Sequence, residues 1–375
     1  MRSYRYRIYP TRKQQNNLSA QMSLCKKAYN YLLGKAKEKY RKDKKSLSKY
    51  NMNKLLLTLK QTNSEYNILH SQVLQNISDR VSKAYSNFFR RVKERKKGKK
   101  VKAGFPRYKQ QVISLTYPQS GFSFTSDKRI FLSKVGSMLI SLHRSPKGKL
   151  KTLTVKTSPS NKWHITITCN IPKTQFKSNN NPKVGLDAGI TNFATLSNSI
   201  KFQNPKFLNK ALPKLKLLQQ SLSRKKKKGS NRKKARIKVA VFHEKIENSR
   251  NDFLHKLSHL FANSYSIIAI EKLSIQNMVR NHYLARSIMD ASWASFIAML
   301  CYKAESAGCR VFAINPKNTS KKCSNCGNLQ EMPLHKRIYN CSACGMSADR
   351  DVNAARNIIN SVISNHYAVG HTVKA

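Results

Sequence analysis

Two copies of one short pattern constrain this chain more than any other feature: Cys323-Ser-Asn-Cys326-Gly327 and Cys341-Ser-Ala-Cys344-Gly345, with 14 residues between Cys326 and Cys341. In each knuckle the glycine lets the backbone turn so that amides face the thiolates. Four thiolates make the closed, tetrahedral site of a structural zinc ion. A redox CxxC is the competing reading, and the duplication counts against it. The remaining cysteines, Cys25, Cys169, Cys301 and Cys309, are scattered. That usage indicates metal binding in a reducing cytoplasm, not a disulfide framework. With no open coordination position, such an ion folds its own module and catalyses nothing. His335, between the knuckles, is expected to be exposed.

Charge narrows the choice of partner. Lys and Arg number 73 against 16 Asp and Glu, a net charge of +57 in 375 residues. Self-repulsion on that scale calls for a polyanion in the working state. Ribosomal or histone-like packaging proteins share the charge, but they are short and poor in acid clusters. A membrane surface fits badly. No wholly apolar run reaches 18 residues, and the start, Met1 to Pro10, alternates basic with aromatic side chains instead of carrying a signal-peptide core. The densest basic run, Arg224 to Lys238, holds ten basic residues in fifteen. A solvated face is the ordinary reading of a charge run, and this density argues instead for phosphate. Arg224, Lys225, Lys226, Lys227, Lys228, Arg232, Lys233 and Lys234 are therefore candidate nucleic-acid contacts. Arg107 and Tyr108, in the FPRY segment after the basic linker from Arg90 to Gly104, join them.

The periodicities divide the chain, whose length suits two or three domains of roughly 100 to 200 residues. Arg5 to Tyr9 alternates as a strand. From Thr11 to Lys96 the period is helical, with one stripe through Leu18, Met22, Cys25, Ala28, Tyr29 and Leu32 and another through Leu69, Val73, Ile77, Val81, Ala84 and Phe88. Strands are predicted at Thr125 to Leu132, Met138 to His143, Leu150 to Lys156 and Trp163 to Cys169. This order suggests a small N-terminal β-barrel, residues 1–10 and 105–177, with a helical bundle, 11–104, inserted after its first strand. Beyond the turn-rich Ser178 to Pro182, a hairpin (Val184 to Asp187, Asn192 to Leu196), two long helices, a buried strand at Tyr265 to Glu271, a helix at Ser292 to Ala307, a strand at Arg310 to Ile314 and a helix from Val352 to Ser364 read as an α/β domain, 183–317 and 348–375. The cysteine module, 318–347, interrupts it.

Three acids stand at element ends of that α/β half. Asp187 follows the apolar Val184 to Leu186, Glu271 closes the most apolar strand, and Asp351 opens the last helix. Any one such acid is more often a cap or a surface ion pair. Three of them, in a chain that otherwise avoids negative charge, make a set. In an RNase H-like fold the three positions converge on one sheet edge, where hard oxygen ligands suit Mg²⁺ or Mn²⁺ and phosphodiester hydrolysis. Asp349 is the rival to Asp351. The DxN continuation into the helix favours Asp351, and Asp349 is expected to pair with Arg350.

These residues resemble TnpB, the transposon-encoded RNA-guided nucleases similar to the small type V CRISPR effectors. The resemblance rests on VGLDAGI (Val184 to Ile190), IAIEKLSIQNM (Ile268 to Met278), SKKCSNCG (Ser320 to Gly327), YNCSACG (Tyr339 to Gly345) and DRDVNAARNI (Asp349 to Ile358). GFPRY at Gly104 to Tyr108 and RIYPT at Arg7 to Thr11 extend it more weakly over nearly the whole chain. It implies a RuvC nuclease domain with an inserted zinc ribbon, a wedge-like barrel and a helical recognition insertion. It implies catalytic, magnesium- or manganese-binding carboxylates at Asp187, Glu271 and Asp351, and zinc on the four knuckle cysteines. It also implies a guide RNA from the transposon end, and a double-stranded DNA target with a short adjacent motif, handled by a protein monomer. Ala188 and Lys272 depart from the commonest pattern without removing a ligand. Two other classes stay open: an unguided RuvC-fold resolvase or transposase, and a nucleic-acid-binding regulator without catalysis.

Overall fold

The computed structural model describes residues 1–172, 179–333 and 335–364, so Ser178 and the predicted domain ends at 177 and 365–375 lie outside the described residues. The chain divides into two units, with the boundary between Lys173 and Thr174.

In the first unit β1 (Arg2–Tyr9) buries Tyr4, Tyr6 and Ile8 on one face, as its alternation requires. Pro10 ends it, and Thr11 starts α1 (Arg12–Asp43) with a capping box, its Oγ1 accepting from the Gln14 amide while the Gln14 side chain accepts from the Thr11 amide. Helices α2 (Lys49–Thr62) and α3 (Ser71–Lys96) follow. The whole first stripe is buried; on α3 Tyr85, not Ala84 or Phe88, continues the buried line. The strands then run β2 (Ser114–Tyr117), β3 (Phe122–Ser126), β4 (Arg129–Leu132), β5 (Gly136–Ser141), β6 (Lys149–Thr157) and β7 (Trp163–Asn170).

These strands and β1 make one antiparallel sheet, ordered β2-β6-β7-β1-β5-β4-β3. The strand before the helical insertion therefore pairs on both sides with strands after it, β5 and β7. The barrel expected from the sequence is a half-barrel, because β2 and β3 end the hydrogen-bonded order. Helix α3 covers one of those edges: Arg80 donates from Nη1 to the Ser114 carbonyl and from Nη2 to Thr116 Oγ1. The predicted strand Thr125 to Leu132 is two strands, since a turn at Asp127 and Lys128 folds it into the β3–β4 hairpin. Helices and sheet share one hydrophobic core.

The second unit opens with β8 (Lys183–Asp187), β9 (Asn192–Leu196) and β10 (Lys201–Gln203), then a hairpin of helices α4 (Phe207–Ser223) and α5 (Ser230–Ser264). Next come β11 (Ile267–Glu271), α6 (Ile275–Met278), α7 (His282–Ala291), α8 (Trp293–Ala307) and β12 (Arg310–Ile314). The cysteine module with β13 (Ile338–Asn340) and β14 (Ser347–Asp349) precedes α9 (Arg350–Ser364). The sheet order is β10-β9-β8-β11-β12, with β8, β11 and β12 parallel and β9 and β10 antiparallel.

Strand β11 explains its own continuous apolar run. Ile268 and Ile270 pack with α5 and α8 on one face, Ile267 and Ala269 with α9 on the other, so every residue before Glu271 is buried. Helices α7 and α8 together, His282–Ala307, are long and apolar enough to cross a membrane by length and composition. Ser292, at φ 56°, breaks them, and Trp293, Phe296 and Leu300 face the core of this unit.

Candidate active site and metal centre

The register of the parallel strands brings the first two acids together. Leu186 on β8 pairs with Ile270 on β11, so Asp187 and Glu271, one residue further along each, leave the sheet at the same carboxyl-terminal edge. That edge is where open α/β sheets bind ligands. Asp351 arrives from the first turn of α9, which packs on β8, β9 and β11. Gly185 allows the approach. A methyl group there would run into the carbonyl of Ala355 and the amide of Ile359, so the helix backbone lies directly on the strand.

The three acids act on one another. Burial, then the charges of Glu271 and Asp351, push the Asp187 carboxyl up to about 8, against partial relief from Arg350 and the Ala188 amide. Burial raises Glu271 as well, and a hydrogen bond from Thr319 offsets part of the rise. Among the described residues no ion pair engages any of the three. Among the described residues the cysteines alone form a tight group of metal-ligating atoms. Half-buried oxygen donors with no ion-pair partner, two of which crowd Asp187, fit Mg²⁺ or Mn²⁺.

Asp349 is committed elsewhere. Its Oδ1 accepts the amides of Asp351 and Val352, capping α9, and its Oδ2 accepts from Lys201 Nζ at 2.6 Å. Burial opposes ionisation, but these hydrogen bonds outweigh it and hold the carboxyl below its usual range. The expected pairing with Arg350 is absent because that guanidinium donates to the Pro333 carbonyl. Lys272 is exposed.

The four knuckle sulfurs lie within 4.8 Å of one another, with Cys323–Cys344 at 3.7 Å and Cys326–Cys341 at 3.6 Å. A tetrahedral ion with Zn–S bonds of ~2.3 Å needs sulfurs ~3.8 Å apart, so the cage fits zinc. Gly327 and Gly345 take positive φ, 81° and 70°, as the knuckle turns require. The Cys344 amide is the main cause holding the Cys341 thiol down at about 6, and the Met346 amide lowers Cys344. Both thiols are thus poised to become thiolate ligands. His335 is exposed. Cys344→Ser is expected to reduce zinc from about one per chain to none, measured by elemental analysis, with protease cleavage appearing between Thr319 and Ser347. Equal zinc in both proteins would overturn the assignment.

Of the candidate nucleic-acid contacts, Arg107 and Tyr108 are exposed in the first unit, Tyr108 with Lys37 Nζ 4.0 Å from its ring centre. In the second unit Arg224 to Lys228, Lys233 and Lys234 are exposed at the tip of the α4–α5 hairpin. Arg232 differs: its Nη1 donates to the carbonyls of Leu222 and Lys225 and so closes the end of α4.

Sequence reasoning passes over Thr319, Asn353 and Asn357, all buried beside these sites. For the asparagines a signal exists, since they fall on the otherwise apolar face of α9. Thr319 carries none, its partner Glu271 being 48 residues away.

Residues 166–282 match a family described as "Probable transposase", and residues 293–358 match "Cas12f1-like, TNB domain". Residues 1–45 match a "Helix-turn-helix domain", where the structure has strand β1 and the single helix α1. A protein of Streptomyces pristinaespiralis named "Putative RNA-guided DNA endonuclease" is 32% identical over 96% of this chain and 88% of its own length. "Putative RNA-guided DNA endonuclease InsQ" of Escherichia coli K12 is 30% identical over 100% of this chain and 94% of its own length. The fold is that of the protein in the "Cas12f1-sgRNA-target DNA complex", with a TM-score of 0.57 at 16% identity over 93% of this chain and 82% of that one.

Proposed function

The chain belongs to the family of RNA-guided DNA endonucleases that includes TnpB, and on that premise we propose that it is a metal-dependent, RNA-guided DNA endonuclease of a transposon. Cutting takes place at a single RuvC-like site. One observation carries this reading: Asp187, Glu271 and Asp351, drawn from three elements distant in sequence, crowd one another's charge at one sheet edge.

Each acid has a role that follows from its place. Asp187, at the centre of the repulsion, would ligate the metal as a carboxylate once its proton is lost. Glu271 offers a carboxylate already oriented by Thr319. Asp351 closes the set from the start of a helix, where the amide dipoles favour its charge. Together these carboxylates would hold divalent ions, whose chemistry when bound would be to activate the attacking water and steady the leaving oxygen. The four-cysteine cage holds zinc and contributes no group to the reacting atoms.

The proposed division of labour assigns the half-barrel (1–10 and 105–177) and the helical insertion (11–104) to wedge-like and recognition roles. Residues 183–317 and 348–375 form the nuclease and 318–347 the zinc module. The exposed tip at Arg224 to Lys228, Lys233 and Lys234, with Arg107 and Tyr108, grips backbone phosphate while guide pairing reads the target. The partners are a guide RNA and double-stranded DNA bearing a short adjacent motif, bound by a monomer in the prokaryotic cytoplasm, at the nucleoid.

Sequencing the RNA that co-purifies with the protein tests this. A single defined species is expected, and changing its guide portion should redirect cleavage. Protein without defined RNA that cuts arbitrary or branched DNA equally well would overturn guidance.

A further inference from the structure

The segment that enters the first cysteine knuckle is bound to α9 by two buried asparagines one turn apart. Asn353 donates from Nδ2 to the Lys322 carbonyl at 2.8 Å and accepts the Ser324 amide on Oδ1 at 2.9 Å. Asn357 donates to the same Lys322 carbonyl at 2.6 Å and to the Thr319 carbonyl at 2.9 Å. Cys323 is thus gripped from both sides, and Thr319 is held by its backbone. Asn353, Asn357 and Thr319 are 0%, 6% and 7% exposed.

What this tether holds is a hydroxyl aimed at a proposed catalytic carboxylate. Thr319 Oγ1 donates to Glu271 Oε1 at 2.5 Å; its other acceptor, the Pro316 carbonyl, is farther away at 3.1 Å. One oxygen of Glu271 is therefore fixed and the other left for a ligand. The knuckle has cohesion of its own in its four sulfurs, the buried Tyr339 and the β13–β14 hairpin.

We propose that Thr319 is a positioning residue for Glu271, and that the cysteine module, docked on α9 through Asn353 and Asn357, holds Glu271 in its metal-binding orientation. The inference rests on the nuclease reading. Partners that orient a metal ligand are commonly worth 10- to 100-fold in metal affinity, and an untethered Glu271 would have to be ordered by the ion itself.

The test is Mn²⁺ binding to the full chain, followed by the electron paramagnetic resonance of free Mn²⁺, with zinc content and melting temperature measured on the same samples. Wild type against Asp187→Ala defines the carboxylate site. Thr319→Val is expected to weaken Mn²⁺ binding at that site by about 10-fold or more with zinc unchanged, and Thr319→Ser to restore it to within about twofold. Cys344→Ser, which releases the knuckle, is expected to weaken it likewise. Should Thr319→Val not fold, Thr319→Ala carries the same expectation. Valine binding Mn²⁺ like wild type, or serine failing where valine fails, would overturn the positioning role while leaving the nuclease reading intact. Equal Mn²⁺ binding by wild type and Asp187→Ala would sink both.

Discussion

Replacing Asp187 by alanine is expected to lower target cleavage by at least about 10³-fold while guide RNA and target DNA binding stay within about threefold of wild type. The asymmetry follows from location. Asp187 sits at the acid edge of the second unit, whereas the exposed basic residues offered for phosphate contact lie at the hairpin tip and in the first unit. A titration of supercoiled target, alongside filter binding of the same protein, checks both halves. Residual cleavage near the wild-type rate, or binding lost from a folded protein, would count against the catalytic assignment.

The same position makes a second prediction with a definite sign. The Asp187 carboxyl stands at about 8 in the folded protein against 3.8 for the free side chain, so between these values the folded state keeps a proton that the unfolded chain has released. Stability of the metal-free protein therefore falls as pH rises through that window, and the penalty is complete above about pH 8. Each tenfold change in proton affinity is worth about 1.4 kcal/mol. Asp187→Asn, uncharged throughout, should melt on the order of 5 °C higher than wild type at pH 8 without divalent ions, with the gap closing toward pH 4. No gap would mean that neither burial nor the neighbouring acids hold this carboxyl above its ordinary range.

Gly185→Ala is expected to cost about 1 to 3 kcal/mol and to reduce cleavage by roughly 100-fold or more. Backbone atoms cannot rotate away as a side chain can, so the added methyl has to push α9 off β8 at Ala355 and Ile359. Asp351 lies one helical turn before that contact, and displacing a catalytic group by an ångström is enough to lose two orders of magnitude. Gly104→Ala is the control, since nothing lies within 4 Å of the methyl it would add. Calorimetry and cleavage assays on the three proteins decide it: a Gly185→Ala protein with wild-type activity would show that α9 does not set the site.

Legibility in the sequence followed the range of the interaction. The cysteine knuckles are read directly because each is a five-residue object whose glycine and thiols act locally. The strands carrying Asp187 and Glu271 are readable because a strand buried on both faces must be apolar throughout, and the acid marks where burial ends. The choice between Asp349 and Asp351 was harder. It turns on Lys201, which meets Asp349 across 148 residues, and on which carboxyl the helix uses as its cap. The turn inside the run from Thr125 to Leu132 leaves little trace in the sequence because Asp127 and Lys128 interrupt the alternation only briefly. Arg232 reads as one more cation in a basic run, and only the folded hairpin turns it toward the carbonyls of Leu222 and Lys225.

By itself the sequence determined the charge that demands a polyanion, the zinc-type cage and the acids at element ends, because composition, short spacing and apolar periodicity act within a few residues. Tertiary structure alone decided that β1 closes against strands beyond the helical insertion, that the sheet stays a half-barrel, that α9 lies on Gly185, and that Thr319 reaches Glu271. Those contacts join residues dozens to more than a hundred positions apart. Their energies depend on where packed elements meet, which no local pattern of residues encodes.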